Sequence, residues 1–541
     1  MNNKDKNQKS QSRRAFVQKT AIASGILLAA PLRMEGMARV NGNQKLKLAL
    51  VGCGGRGSGA AVQALTADEN VELVAMADAF ADRIEKSLIG IKKHFDGEEK
   101  LDYSTSKHQG GKRKISVKEK NKFVGFDAYK KAIDLADVVI LTTPPGFRPY
   151  HFEYAIANDK HVFMEKPVAT DPIGIRKVLA SAKLAKAKKL NVVVGLQRHY
   201  QSKYIDLKNR IDQGAIGKIR GGQVYWNDAG VWVKKRQPNQ TELEYQMRNW
   251  YYFNWLCGDH ILEQHIHNID VANWFIGDYP VSAQGMGGRQ VRNGKDHGEI
   301  FDHHFVEFTY ASGAVVSSQC RHIRGTMRRV DEVFQGTKGS VEIGKGEITD
   351  LDGNSQYKYP NKWGEDPNPY QVEHDRLFAS IRNGDVIADA ENGAKSTLTA
   401  ILGRMATYTG KKITFDELLS YKMDTRMELA DRLLDDLVEA ATESDDIMLN
   451  KASRVLQNWD RCTNNDSKGA VLFKEWVDVS GFKIDKPELF KIPWDETQPM
   501  ITPQGIKNID IALKNLKSVS LEVINKYGSL DVAWGDVYRI I

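Results

Sequence analysis

Short, densely apolar runs recur along the first 420 residues, most of them closed by glycine, proline or a charged group. Residues 46–51 are apolar apart from Lys47 and end at a glycine cluster, the pattern of a strand buried on both faces. Residues 58–66 are compatible with a helix, and residues 71–78 form a second apolar run ending in Asp78. A third strand, residues 137–145, leaves its sheet at Pro144-Pro145; residues 161–167 end a fourth in Glu165-Lys166-Pro167, and residues 191–195 supply a fifth. Strand, helix and strand in this order predict a parallel α/β sheet. Runs at 221–226, 305–310, 314–321 and 330–334 predict strands of a second sheet. Residues 92–122 break the alternation: lysine-rich and poor in apolar side chains, they are expected to be a solvated insertion without a function of their own. Further on, residues 427–441 carry apolar side chains at helical spacing.

The glycine cluster carries specific chemistry. In Gly52-Cys53-Gly54-Gly55-Arg56-Gly57, Gly52 permits a tight turn, Gly54 lets the backbone approach a pyrophosphate, and Gly57 allows the helix to pack closely. The helix N-terminus then faces the negative charge, and Gly55 and Arg56 belong to the same cradle. A glycine loop alone is weak evidence, but Asp78 closes the next strand 26 residues after Gly52, near the spacing of a ribose-binding acid. Asp78 can accept hydrogen bonds from both ribose hydroxyls and repels a 2′-phosphate, so NAD is expected rather than NADP, with Arg83 as the counterweight. Thr143 and Pro144 are further candidate cofactor contacts, because ligands of open α/β sheets gather at the carboxyl ends of strands.

Composition changes the picture mainly at the N-terminus. The chain has 541 residues, 41% of them hydrophobic, enough for about three domains with real cores. Residues 1–40 hold eight Lys/Arg against two acids, so of the formal charge of +8 only +2 remains elsewhere, and nucleic-acid binding gains no support. Ser12-Arg13-Arg14-Ala15-Phe16-Val17 before an apolar run reads as a twin-arginine export signal over residues 1–38. The protein is therefore expected in the periplasm, exported folded and already loaded with cofactor. No later run reaches the roughly 18 apolar residues of a membrane span. Cys53, Cys257, Cys320 and Cys462 stand too far apart to suggest a disulfide framework or a thiolate metal site.

Over residues 44–420 the chain resembles the glucose-fructose oxidoreductase, inositol dehydrogenase and MocA family. The diagnostic run is Glu165-Lys166-Pro167, and the second is Gly258 to Asp270, where Glu263 and His267 stand at the family's aspartate and histidine positions. The resemblance implies an α/β architecture: a Rossmann NAD-binding domain, residues 44–168, then an α/β domain, residues 169–420, with a large, open, mostly antiparallel sheet that serves as a homo-oligomer interface. It implies a small-molecule sugar or glycoside as substrate, with Glu165, Lys166 and Gln197 near the nicotinamide. Glu263 and His267, four apart, share a helix face. Oxidising a secondary alcohol needs a base, and His267, ordinarily near neutrality, is favoured, with Lys166 stabilising the alkoxide; a Lys166 with lowered pKa is the alternative. Arg198, Trp226, Arg248, Trp250 and His265 are candidate substrate contacts. His260, His265 and His267 with Glu263 raise a metal reading, but helical residues two apart diverge by about 200°, so no metal is assigned. Three functions stay open: a sugar dehydrogenase, with C3 as the leading position, an NAD-dependent glycosidase running a closed redox cycle, and a non-catalytic NAD-binding protein.

Residues 424–541 resemble the later part of a penicillin acylase-type β-chain, through Leu456 to Asp460, Asp466 to Ala470, Pro493-Trp494-Asp495 and Val532 to Arg539. Such acylases use a serine freed at a chain start, whereas Ser467 is internal, so acylase activity is not expected. Read as a fragment, this segment should pack poorly and expose apolar surface; read as a genuine appendage, it should be helical.

Overall fold

The computed structural model describes residues 44–97, 114–415 apart from 363, 418, and 427–538 apart from 465, 484–485 and 496–501. The export signal, the middle of the lysine-rich stretch and Arg539 lie outside the described residues. The chain divides into two compact units, residues 1–419 and 420–541.

The first unit opens with a parallel sheet of seven strands. These are β1 Leu46–Val51, β2 Val71–Asp78, β3 Lys114–Ile115, β4 Lys122–Val124, β5 Val138–Leu141, β6 His161–Met164 and β7 Val192–Val194. The order is β3-β2-β1-β5-β6-β7, with β4 also on β2. The central strands β5, β6 and β7 are buried at every position, as helices on both faces of a parallel sheet require. The chain leaves β1 towards β2 on one side and returns through β5 on the other, so the loops after β1 and β5 part over a crevice. The lysine-rich stretch departs from expectation: its described part supplies β3 and β4, short strands that extend the sheet edge beside β2.

A second sheet of nine strands follows, β8 Ile219–Asp228, β9 Pro280–Gly288, β10 His303–Tyr310, β11 Val315–His322, β12 Arg329–Gly336, β13 Gly339–Glu342, β14 Glu347–Asp350, β15 Ser355–Lys358 and β16 Ile413–Thr414. Their order is β15-β14-β13-β12-β8-β11-β10-β9-β16, antiparallel except where β8 meets β11. Burial alternates along β10 and β11, so one face is covered and the other half-open. The helices Ile266–Ile276 and Ala390–Thr409 lie against the covered face. Ala390–Thr409 also returns to the first sheet, where a Cβ on Gly393 would stand 3.1 Å from Val194 of β7.

The second unit packs the helices Glu428–Thr442, Ile447–Gln457, Ala470–Ser480 and Ile509–Tyr527 around Trp476, with a strand pair Phe490–Ile492 and Gln504–Ile506. The expectation of poor packing is corrected: Leu437, Leu456, Phe473, Trp476 and Leu516 are fully buried, because helices with pronounced apolar faces close a core of their own. Ile447, Ile511, Val479 and Trp494 remain exposed.

Candidate active site

The turn after β1 is shaped by its glycines. Gly52 has φ +96°, and a Cβ there would stand 2.5 Å from the Thr143 nitrogen; one on Gly57 would stand 2.1 Å from the Gly52 carbonyl oxygen. A Cβ on Gly54 would meet nothing within 4 Å. Gly54 therefore borders open space at the N-terminus of the helix Gly55–Ala67, where it stands as an N-cap residue with no side chain to cap the helix. That is a cradle for a phosphate. At the end of β2, Asp78 accepts from the backbone N–H groups of Cys53 (2.7 Å) and Phe80 (3.0 Å), and burial raises its pKa. Loop and Asp78 border one cavity of about 620 Å³. Room for a pyrophosphate at the glycines and an acid at the ribose position fit a dinucleotide.

The same cavity reaches the carboxyl ends of β5 and β6. It is lined by Gly52, Gly54, Gly55, Arg56, Gly57, Asp78, Thr143, Pro144, Glu165, Lys166, Trp226, Arg248, Trp250, Glu263 and His267, which the sequence had nominated from seven separate stretches. The Lys166-Pro167 peptide is cis. The Lys166 ammonium donates to the Glu263 carboxylate at 3.1 Å and to the Glu263 carbonyl, so two sequence-distant motifs meet on one ion pair. His267 stacks on Trp226, with ring centroids 5.9 Å apart, and its Nδ1 is buried without a hydrogen-bond partner among the described residues. Burial first, then the Lys166 and Arg198 cations, hold the His267 imidazole well below its ordinary pKa. The expectation of a near-neutral titration is corrected accordingly: His267 is uncharged at neutral pH, with a lone pair free to accept a hydrogen bond, and it is a weaker base than an ordinary imidazole.

Three nominated residues do not line the cavity. Arg198 is buried and bonds to Glu332 of β12, which also accepts from Tyr204 (3.0 Å) and Asn268 (2.7 Å). Its guanidinium completes a core network and is unavailable to substrate. His265 points to β11, its Nε2 2.7 Å from the Ser318 hydroxyl, because it lies on the helix face opposite to that of its neighbour two residues on. Burial lowers its pKa to about 3. Gln197 opens the turn Gln197–Tyr200 and is absent from the cavity wall, its Oε1 buried without a partner among the described residues. Arg248 reaches the cavity, but among the residues that follow β2: its guanidinium lies 4.0 Å from the Phe80 ring centroid and bonds Asp82 (3.1 Å) and Glu244 (3.0 Å). That is the cofactor end rather than the substrate end.

The cavity also has residues the sequence did not single out. Arg148, directly after the Pro144-Pro145 turn, donates to the carbonyls of Thr143 and Pro167 and so ties the ends of β5 and β6 together. Burial lowers its pKa to about 10. Tyr251 donates to the Gln264 side chain, and both line the cavity. Tyr251 belongs to the aromatic cluster of Trp226, Trp250, Tyr251, Tyr252 and Trp255 that the sequence offers as a stacking surface for a sugar. Behind this wall, Asp259, His260 and His304 bring one potential ligand atom each within 4.8 Å of one another. The Asp259 carboxylate already accepts from the His260 backbone and ring, Phe301 and Tyr408, and the Arg292 guanidinium lies 3.4 Å from His260 Nδ1. A carboxylate filled by four donors beside a cation acts as a clasp between the segment before the helix, Phe301 just ahead of β10, and the helix Ala390–Thr409.

The sequence matches two family models: an oxidoreductase family with an NAD-binding Rossmann fold over residues 46–196, and the GFO/IDH/MocA C-terminal domain over residues 204–342. Together these cover more than half of the chain. It belongs to the GFO/IDH/MocA oxidoreductase family. Inositol 2-dehydrogenase of Rhizobium meliloti (strain 1021) is 26% identical over 217 residues, 40% of this chain and 59% of that protein. The 2,7-anhydro-N-acetylneuraminate hydratase of Escherichia coli (strain K12) is 24% identical over 212 residues, 39% of this chain and 52% of that protein. The chain thus spans less than two thirds of these GFO/IDH/MocA relatives. The fold is that of aldose-aldose oxidoreductase from Caulobacter crescentus, with a TM-score of 0.50 at 17% identity, covering 69% of this chain and 100% of that one. Residues 388–541 match the penicillin amidase model.

Proposed function

We propose that this protein is an NAD-dependent oxidoreductase that oxidises a secondary hydroxyl of a sugar or glycoside. The observation that carries the reading is the Lys166–Glu263 ion pair, which shares one cavity with His267 and the glycine loop. NAD, when bound, supplies the hydride acceptor. The Lys166 ammonium, held by Glu263, is suited to steady the charge that develops on the substrate oxygen. The uncharged His267 imidazole takes the hydroxyl proton. Trp226, stacked on His267, offers an apolar face to the C–H side of a sugar ring. The oxidised carbon, with C3 as the leading position, and homo-oligomerisation through the half-open sheet are parts of the same proposal.

The twin-arginine pattern adds a constraint. A protein exported with its cofactor has no pool of NAD to exchange with, so tight retention and reduction of a second substrate are expected. The resemblance to a hydratase, a reaction without net oxidation, supports a second reading: a closed cycle in which oxidation acidifies the neighbouring C–H, elimination expels the leaving group, water adds across the double bond so formed, and the hydride returns. The test is the absorbance of reduced nicotinamide in purified, NAD-carrying protein mixed with a panel of sugars and glycosides. A rise that vanishes in Lys166→Met and His267→Ala supports net oxidation. A flat trace with consumption of a glycoside favours the closed cycle, and a flat trace without consumption overturns both. Secretion of the full chain, lost when Arg13 and Arg14 become lysine, tests export.

A further inference from the structure

We propose that the cavity carries a second ring-binding subsite built on Trp232, so that the substrate is a glycoside whose group beyond the reacting sugar is itself a ring. The inference rests on the sugar-oxidising reading of the site and names its substrate class. Between β8 and the helix Glu242–Arg248, residues 229–240 form no helix or strand, yet the segment is held in place. The Val231 carbonyl accepts from the Tyr252 hydroxyl (3.4 Å), and the Lys234 N–H donates to the Asn249 side chain (2.8 Å). Asn249 is fully buried and is itself fixed by donating to the Asp296 carbonyl (2.8 Å). What this segment presents is an indole: Trp232 lines the cavity and is 40% exposed, edge-on to Trp250 at 5.9 Å and to Tyr251 at 6.2 Å.

The position of that indole relative to the chemistry gives the argument its direction. Tyr251 bonds to Gln264, the neighbour of Glu263, which pairs with Lys166. Trp232 therefore stands one aromatic ring further out than the groups that flank the reacting hydroxyl. An exposed tryptophan on a pinned loop gains little from packing, but it is a ready platform for the apolar face of a sugar or aryl ring, with the ordering cost already met. Lys234, whose ammonium lies 5.6 Å from the Trp232 ring centroid and also lines the cavity, adds a donor for a hydroxyl of that outer ring.

Calorimetric titration of the NAD-loaded full chain, which does not depend on turnover, tests this with methyl glucosides, maltose, cellobiose, and phenyl α- and β-glucosides. At least one two-ring ligand is expected to bind about five- to tenfold more tightly than the methyl glucoside of the same anomer. The advantage should disappear in Trp232→Ala and persist in part in Trp232→Phe, and whether disaccharides or phenyl glucosides show it identifies the outer ring. Equal affinities, an advantage that survives in Trp232→Ala, no binding by any of these ligands, or a Trp232→Ala variant altered only in oligomeric state overturns the subsite. Trp232-dependent binding without any change in nicotinamide absorbance supports the subsite while counting against net oxidation.

Discussion

Lys166 and His267 act on each other through charge, and that coupling can be measured. Replacing Lys166 by methionine should cut kcat by about 10²- to 10⁴-fold, as expected when a group that answers transition-state charge is lost. The same change removes a cation that holds the His267 pKa down, so the imidazole titration, followed by NMR, should move up while burial still keeps it below 6.5. A pH profile of kcat/KM should accordingly keep its activity as pH falls from 7 through the ordinary imidazole value. Arg198 makes the opposite case. Arg198→Met leaves Glu332 buried without a countercharge, and should lower stability by about 3 kcal/mol in urea titration, with no selective rise in the KM of the folded fraction. The sequence made Arg198 look like a site residue because a polar loop after a strand is where ligands bind. Its partner lies 134 residues away, a distance no local pattern reports.

At the scale of elements, the glycine loop separates shape from binding. Gly57→Ala sets a Cβ 2.1 Å from the Gly52 carbonyl oxygen and should cost both thermal stability and NAD affinity. Gly54→Ala finds open space, so its melting temperature should stay close to that of the parent while NAD affinity falls at least about tenfold, since the methyl group takes the room meant for a phosphate. Calorimetry and fluorescence titration on the two variants check the pair together. This loop, β1 and β2 were legible because glycine spacing and burial on both faces leave direct marks in the order of residues. β3 and β4 were not: two and three residues long, at a sheet edge, and drawn from a lysine-rich stretch, they owe their strand conformation to pairing with β2 rather than to their composition. The meeting of Lys166 with Glu263 was legible only as two separate motifs, because tertiary packing alone makes them one ion pair.

Across the whole molecule, burial of neutral histidines sets the response to acid. Burial pulls His161 and His260 to about 4, and His322 and His374 well below the ordinary value. Each such group takes up its proton in the unfolded chain near 6.5 but in the folded chain only at lower pH, so stability should fall as pH drops from about 6.5 towards 4. Denaturant midpoints measured across that range should decline steadily, and a flat response would contradict the buried neutral state. His199, whose pKa Asp270 raises, and the Asp78, Glu332, Glu373 and Asp389 carboxyls, raised by burial, work the other way, so the decline should be shallower than the histidines alone would give. A last consequence follows from Arg56, the one charged residue of the glycine loop. Its guanidinium is already answered by Glu165 at 2.5 Å and Glu373 at 3.0 Å, so a pyrophosphate would be met there by backbone N–H groups. Few counterions would then be displaced on binding, and NAD affinity should barely change between dilute and near-molar salt. A steep decline with ionic strength would instead mean that Arg56 leaves its two carboxylates to meet the phosphates.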